Sequence, residues 1–408
     1  MLIELSSVLW IITTLFIIIT AIYLTFYFNL AQFKLSKRVK QGVKKDTLKY
    51  LFISLSGKIG VGSISGIAVS ILVGGKGTIL WIWLSSIILS IFTYLEVKTG
   101  IKYKKKINNT VIGGPLVYIE KYNYKLLSKI YITLMIITYL FAFILIQSNT
   151  LLNAIKSSIN INEILLLVLL IILIIKSISN GLNTISKLIM ILFPIMAISY
   201  LLIGIYVLIN NIDQIPGIIG DIFKESLSIR SIISLPLIIG FQRSIFANEV
   251  GVGTTSMIIS TKDTDDYEQE TYIQLFGMYF ISLIICTITA LIILTTKINI
   301  TNFDSIEIIN YSFIYHFGKY GPLISTVIIS IFAFSTILTS YYYGNICLNY
   351  LFNIKNNKIA KIIVIIVVIL SNYINCSYIW AFVDIVIALL TFINVFVLFR
   401  IREKIRSI

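Results

Sequence analysis

The sequence predicts an all-α protein that crosses a membrane about eleven times, and two observations carry that prediction. Of 408 residues, 58% are hydrophobic and only 12% are charged, which is too little charge to cover a soluble domain of this length. Apolar runs longer than about 18 residues recur from end to end, and such runs read as spans. They fall near residues 9–29, 49–74, 77–100, 128–153, 162–179, 184–210, 231–255, 271–296, 320–350, 358–375 and 377–400.

The connecting segments sort by charge. Lys34, Lys37, Arg38, Lys40, Lys44, Lys45 and Lys49 follow the first span, and Lys102, Lys104, Lys105, Lys106, Lys121, Lys125 and Lys129 follow the third. Lys355, Lys358 and Lys361 follow the ninth, and Arg402, Lys404 and Arg406 close the chain. The alternate loops hold isolated basics or the acids Asp213, Asp221, Glu225, Asp304 and Glu307. Basic loops stay on the cytoplasmic side, so the chain is expected in the cell (inner) membrane with its N-terminus outside and its C-terminus inside, an arrangement that needs an odd number of spans. The acids after span seven (Asp263, Asp265, Asp266, Glu268, Glu270) do not disturb this, because acids count little in the rule. The net charge of +15 is thus topological and not a nucleic-acid signal. Glu4 and the lack of basic residues before the first run argue for a retained span over a cleaved leader. The glycosylation pattern at Asn108-Asn109-Thr110 lies among cytoplasmic lysines and carries no weight.

Composition also excludes much chemistry. Cys286, Cys347 and Cys376 are far apart with no CxxC pair, and the one histidine, His316, falls in a loop, so metal, redox or triad chemistry has few residues to use. No enzyme is expected.

Two spans break the helical rule. The second contains Gly57, Gly60, Gly62 and Gly66, each of which weakens a helix by about 1 kcal/mol relative to Ala. Close helix packing through Gly62 and Gly66 is one reading. The other is a discontinuous helix whose free N–H groups face an anion and whose carbonyls face a cation, which is tolerated at mid-membrane only where it lines a cavity. Lys58 lies in the same span, roughly 13 Å of helix rise beyond Lys49. It is either a functional buried cation or a long snorkelling side chain. The seventh span holds Pro236, Gly240, Phe241, Gln242, Arg243, Ser244, Asn248, Glu249, Gly251 and Gly253, polar groups that are costly against lipid. Interrupted spans in corresponding places of two halves point to an inverted-repeat transporter: one transmembrane domain over 1–408, with an extra helix at 9–29 and repeats at 49–210 and 231–400. Elsewhere Gln147 and Asn149 sit in span four, and Thr336 and Ser340 share a face of span nine beside Ser335. Glu96 reads as a structural partner for a lysine at the cytoplasmic rim, and Asp384 lies in the last span. Gly113-Gly114-Pro115 marks a tight turn.

Four blocks in order carry a family resemblance. Gly74-Gly75-Lys76-Gly77-Thr78-Ile79-Leu80-Trp81-Ile82-Trp83, Gly113-Gly114-Pro115-Leu116-Val117-Tyr118-Ile119-Glu120, Arg243 with Phe246-Ala247-Asn248-Glu249-Val250-Gly251, and Phe332–Ile337 with Tyr342-Tyr343-Gly344 resemble motifs of the alanine or glycine:cation symporter family over nearly the whole chain. The resemblance implies a leucine-transporter-type fold with a 5+5 inverted repeat, and sodium-coupled uptake of a small neutral amino acid between the broken helices. It places the substrate carboxylate on Gly60 and Gly62, with Ser63, Gln147, Asn149, Gly240, Phe241, Thr336 and Ser340 as further substrate positions. A sodium site then falls at the Ile59 carbonyl, Ser335 and Thr336, oxygen ligands that suit a hard cation. The chain also departs from the family: Val61-Gly62-Ser63 stands for Thr-Gly-Asn, Lys58 for a neutral residue, Ser340 for a pocket Trp and Ser244 for Gly. Lys58 could act as a tethered cation in place of an ion, making coupling proton-driven, reduced or absent, or it could point into water and leave sodium coupling intact. A non-transporting solute sensor on the same scaffold is a third possibility. The oligomeric state is not encoded in any of these features.

Overall fold

A computed structural model describes residues 2–34, 45–107, 110–179, 181–227, 235–262, 264, 266–296, 303–353 and 358–408. Lys37, Arg38, Lys40, Lys44, Lys355, Asp263, Asp265, Asn108 and Asn109 of the loops discussed above, and the first residues of the span placed at 231–255, lie outside these. The described chain is helical apart from one two-stranded hairpin, β1 (Lys105–Ile107) paired antiparallel with β2 (Thr110–Ile112).

Among the described residues, eight helices are long and apolar enough to cross a membrane. The first is α1 (Leu2–Tyr27). The second consists of α2 (Lys45–Lys58) and α3 (Val61–Gly74), and a tight turn leads from it to α4 (Thr78–Lys102). After the hairpin and the short α5 (Pro115–Lys121), α6 (Lys125–Ile136) continues through a π-helical stretch, Ile137–Ala142, into α7 (Phe143–Ser158). Then come α8 (Glu163–Ser179), α9 (Leu182–Asn210) and α10 (Ile215–Ser226). The next pair is α11 (Leu235–Asn248) and α12 (Thr254–Ser260); α13 (Tyr267–Tyr279) again runs through a π stretch into α14 (Cys286–Leu294). The chain ends with α15 (Ser305–Phe317), α16 (Gly321–Phe352), α17 (Lys358–Ser371), α18 (Cys376–Arg400) and the short α19 (Arg402–Arg406). Three of the expected spans, α8, α17 and the α11–α12 pair, fall outside the eight by length or by interruption. The outward faces of α1, α8 and α9 are as apolar as their inner faces (Phe26 70%, Ile164 71% and Leu202 62% exposed), as lipid contact requires.

Two stretches expected as loops are helical. The Pro216 ring suits the first turn of α10. Asp304 and Glu307 form a reciprocal capping box on α15, so His316 stands in a helix. Its Nε2 lies 3.1 Å from Thr295 Oγ1 and 3.0 Å from the Ile292 carbonyl, closing the end of α14. The glycine motifs prove to be docking points. Gly75, with φ +76°, turns α3 into α4 where a Cβ would strike Glu225 Oε1 at 2.0 Å, and Lys76 pairs with Asp221 at 2.8 Å, so α10 seats on this turn. Gly113 and Gly114 let the segment before α5 press on Ser260 and Met257 of α12.

The broken helices occupy the centre. α3 packs against α11 and α14, and α2 against α9, α13 and α16. α16 runs along α7, and α1 lies on the periphery against α18 and α4. The two ends of α1 differ in their surroundings. Arg402 and Arg406 cover Tyr27 at one end, while at the other end Ser6 and Trp10 reach the start of α18.

Candidate functional site

The first break is at Ile59-Gly60. Gly60 leaves helical geometry (φ −131°, ψ −150°), so the last carbonyls of α2 and the first N–H groups of α3 are released toward one point. A helix C-terminus favours a cation and a helix N-terminus an anion, and here the two ends meet. The amide of Gln147, from α7, fills part of this point: its Oε1 accepts from the Val61 N–H at 3.2 Å. Ser63 Oγ donates to the Gly60 carbonyl at 3.0 Å. Thr336 of α16 donates to the Ser56 carbonyl (3.1 Å) as well as to its own Phe332 carbonyl (3.0 Å), and Ser56 Oγ and Thr339 Oγ1 are 3.3 Å apart. The glycines are there for close approach. A Cβ on Gly60 would sit 2.5 Å from Thr336 Oγ1, and one on Gly62 would sit 2.3 Å from the Phe246 ring.

The second break spans Glu249–Gly253. Glu249 (φ +51°), Gly251 (φ +78°) and Gly253 (φ +95°) are left-handed; a glutamate there stores strain of about 1–3 kcal/mol, the kind that clusters at functional sites. The freed carbonyls are satisfied from other helices. Asn394 donates to the Gly251 carbonyl at 2.9 Å and Tyr131 to that of Val252.

Between the breaks lies a buried charge cluster. Lys58 is 2% exposed, and its Nζ has no hydrogen-bond partner. Two carboxylates act on it electrostatically, Glu249 and Glu96. Glu249 Oε2 accepts from Thr254 at 2.5 Å, and Glu96 Oε1 from Asn394 at 2.7 Å. Their second oxygens and the Tyr139 and Tyr343 hydroxyls are buried outside hydrogen-bond geometry, with Tyr139 beside Glu249 and Tyr343 beside Thr254. Glu96 is therefore fully buried rather than at the rim, and Lys58 does not snorkel into water. Helical spacing alone could not foresee this, because the three residues come from three elements.

The side of the site toward the α1 N-terminus is closed by aromatics and one ion pair. Phe246 stacks on Phe143 (5.3 Å) and leans on Trp380 (5.2 Å). Above Trp380 lies the Arg243 guanidinium, 4.7 Å from the ring, paired with Asp384 at 2.7 Å. Asp384, placed alone in the last span by sequence, thus answers the arginine of the seventh. Breaking a buried pair costs about 3–5 kcal/mol because the surviving charge is left uncompensated. Asp384→Asn is therefore expected to lower the unfolding midpoint of purified protein markedly, and Asp384→Asn with Arg243→Gln much less.

The remaining expected positions divide. Gly60, Gly62, Ser63, Gln147 and Thr336 converge on the first break. Asn149 turns away, donating to the Ser371 carbonyl at 2.7 Å. Ser335 faces α9, with its Oγ donating to the Phe332 carbonyl (2.9 Å) and lying 3.6 Å from Met196 Sδ. Gly240 packs on Trp81, where a Cβ would meet Trp81 Cβ at 2.4 Å; it and Phe241 are more than two turns from the second break. Ser340 is buried in α16. Phe246, Ser56 and Thr339 were not anticipated from sequence; the block holding Phe246 was legible, its contact with Gly62 was not.

A sequence profile of the sodium:alanine symporter family matches residues 1–408. The chain belongs to that family. Among relatives, it is 28% identical over 386 residues to the amino-acid carrier protein AlsT of Bacillus subtilis, covering 92% of this chain and 82% of that one. It is 27% identical to the sodium/alanine symporter AgcS of Methanococcus maripaludis, covering 82% and 77%. Among solved structures, a Na+-coupled sialic acid symporter in a substrate-bound outward-open state superposes with a TM-score of 0.61 at 15% identity, over 97% of this chain and 86% of that one. At that identity the shared property is the fold. This is a multi-pass membrane transporter of an amino-acid symporter family.

Proposed function

We propose that this protein carries a small neutral amino acid such as alanine or glycine across the cell membrane together with sodium, by alternating access around the first break. The observation that carries the reading is the pairing at Gly60: the α3 N-terminus, capped by Gln147 Oε1, beside the α2 C-terminus, where Thr336 meets the Ser56 carbonyl. A substrate carboxylate takes the place of the Gln147 oxygen on the α3 N–H groups, and the freed Gln147 amide turns to the substrate. The cation sits among the oxygens of Ser56, Thr336 and the Ile59 carbonyl, which suit sodium. Ser335, Asn149, Gly240, Phe241 and Ser340 stand outside this smaller set. The reading includes eleven spans, with α1 outside two inverted repeats (49–210 and 231–400), and an N-terminus on the outer face, since the basic tail lies at the far end of α1.

Lys58 supports a second reading on the same scaffold. An ammonium with no hydrogen bond, facing two carboxylates beside the break, can stand where a coupling ion would stand, which makes transport proton-coupled or sodium-independent. Uptake of labelled alanine and glycine into liposomes under a sodium gradient, a proton gradient or neither separates the two. The first reading expects uptake to follow sodium. Uptake that ignores sodium and follows protons selects the second, and no uptake under any gradient overturns both.

A further inference from the structure

Apart from the break, one cavity carries chemistry that the transport reading leaves unused. It has a volume of about 350 Å³ and lies between α1, α3, α11 and the start of α18, within the roughly 300–1,000 Å³ of small-molecule sites. Its walls are largely apolar (Val69, Leu72, Ile238), and Ser6, Ser7 and Trp10 of α1 complete it. Arg243 and Asp384 also line it. They pair through Nη2 and Oδ2, and the Gln242 side chain lies beside the same carboxylate, yet Arg243 Nε and Nη1 and Asp384 Oδ1 are buried outside hydrogen-bond geometry, as is Trp380 Nε1. Buried charges are stable only when their remaining hydrogen-bonding positions are filled. Here one cation and one anion, each half satisfied, stand side by side at the wall of a cavity.

We propose that this cavity is a second amino-acid site, in which a zwitterion places its carboxylate on Arg243 and its ammonium on Asp384. An amino acid carries both charges on one carbon, so a single ligand supplies each half of the pair with its missing partner, and such charge-assisted bonds are the strong ones. A simple anion would satisfy Arg243 and repel Asp384; a simple cation would do the reverse. The side chain of the ligand would lie on the apolar wall, and α1 sets the room available to it, since Trp10 Nε1 donates to the Asp384 carbonyl at 3.1 Å. The site is separated from the first break by Trp380 and Phe246, so a bound molecule waits one aromatic layer from the transport site. The inference rests on the amino-acid reading for its ligand class.

The test is the number of labelled alanine molecules bound per chain, measured by equilibrium binding to the full protein in lipid nanodiscs at saturating sodium. Two are expected for the wild type, and one for Gln147→Ala, which loses the break. One is also expected for Arg243→Met with Asp384→Leu, which removes both charges together. Ser377→Trp, on the exposed lip of the cavity, fills it without touching the pair and is likewise expected to bind one. One molecule on the wild type, lost in Gln147→Ala and kept in the other two variants, would overturn the second site and leave the transport reading standing. No binding to any of the four proteins overturns both.

Discussion

Gly60→Ala is expected to remove most uptake from a protein that still folds. The added Cβ lands 2.5 Å from Thr336 Oγ1 and 3.1 Å from Gln147 Nε2, so it pushes apart the two side chains that define the site. Overpacking of this kind costs about 1–3 kcal/mol, a roughly five- to hundredfold loss when it falls on binding. Gly66→Ala is the control. Its Cβ would meet Trp380 at 3.6 Å, an ordinary contact, and the substitution should leave uptake near wild type while slightly favouring the helix. Initial uptake rates normalised to protein in the membrane check both. Equal losses in the two variants would mean that both glycines serve packing alone.

The second large effect concerns Lys58. Replacing it with Met removes the buried cation that acts electrostatically on Glu249 and Glu96, and buried carboxylates with no nearby cation are costly. Lys58→Met is therefore expected to unfold at much lower temperature than wild type in detergent. Lys58→Met with Glu249→Gln, which removes one charge of each sign, should recover most of the loss. Recovery in the double variant shows that the cost is electrostatic, whereas equal instability in both would assign it to the packing of the lysine stem. The double variant also reads the coupling question, because its sodium dependence can be compared directly with that of the wild type.

Much of this was legible in the residues. Runs of Ile and Leu marked the long apolar helices, and the four glycines of the second span marked it as a candidate for interruption. The four motif blocks gave the family. What was hidden depends on which helix faces which. Gln147 and Asn149 are two apart in one helix, and only the packing of α7 decides that the first caps α3 while the second ties down the end of α17. Ser335 and Thr336 are adjacent, and about 100° of helix rotation sends them to different neighbours. In the seventh span, Pro236, Gly240, Gly251 and Gly253 are the interrupting residues in the sequence; α11 continues through the first two to Asn248, and the break falls at the last two. Pro is tolerated in a helix's first turn, and the break falls at Glu249–Gly253, where Glu249, Gly251 and Gly253 are left-handed. The capping box at Asp304 and Glu307 is a readable sequence signal for the helix α15.

On the proposed function, amino acid and sodium move together through the break at Gly60. The most direct measurement is simultaneous flux of labelled sodium and labelled alanine into liposomes holding the wild-type protein or Thr336→Val. In the wild type each flux is expected to require the other. In Thr336→Val a higher sodium concentration is expected for half-maximal alanine uptake. Alanine flux in the wild type with no accompanying sodium, unchanged in Thr336→Val, would contradict that function.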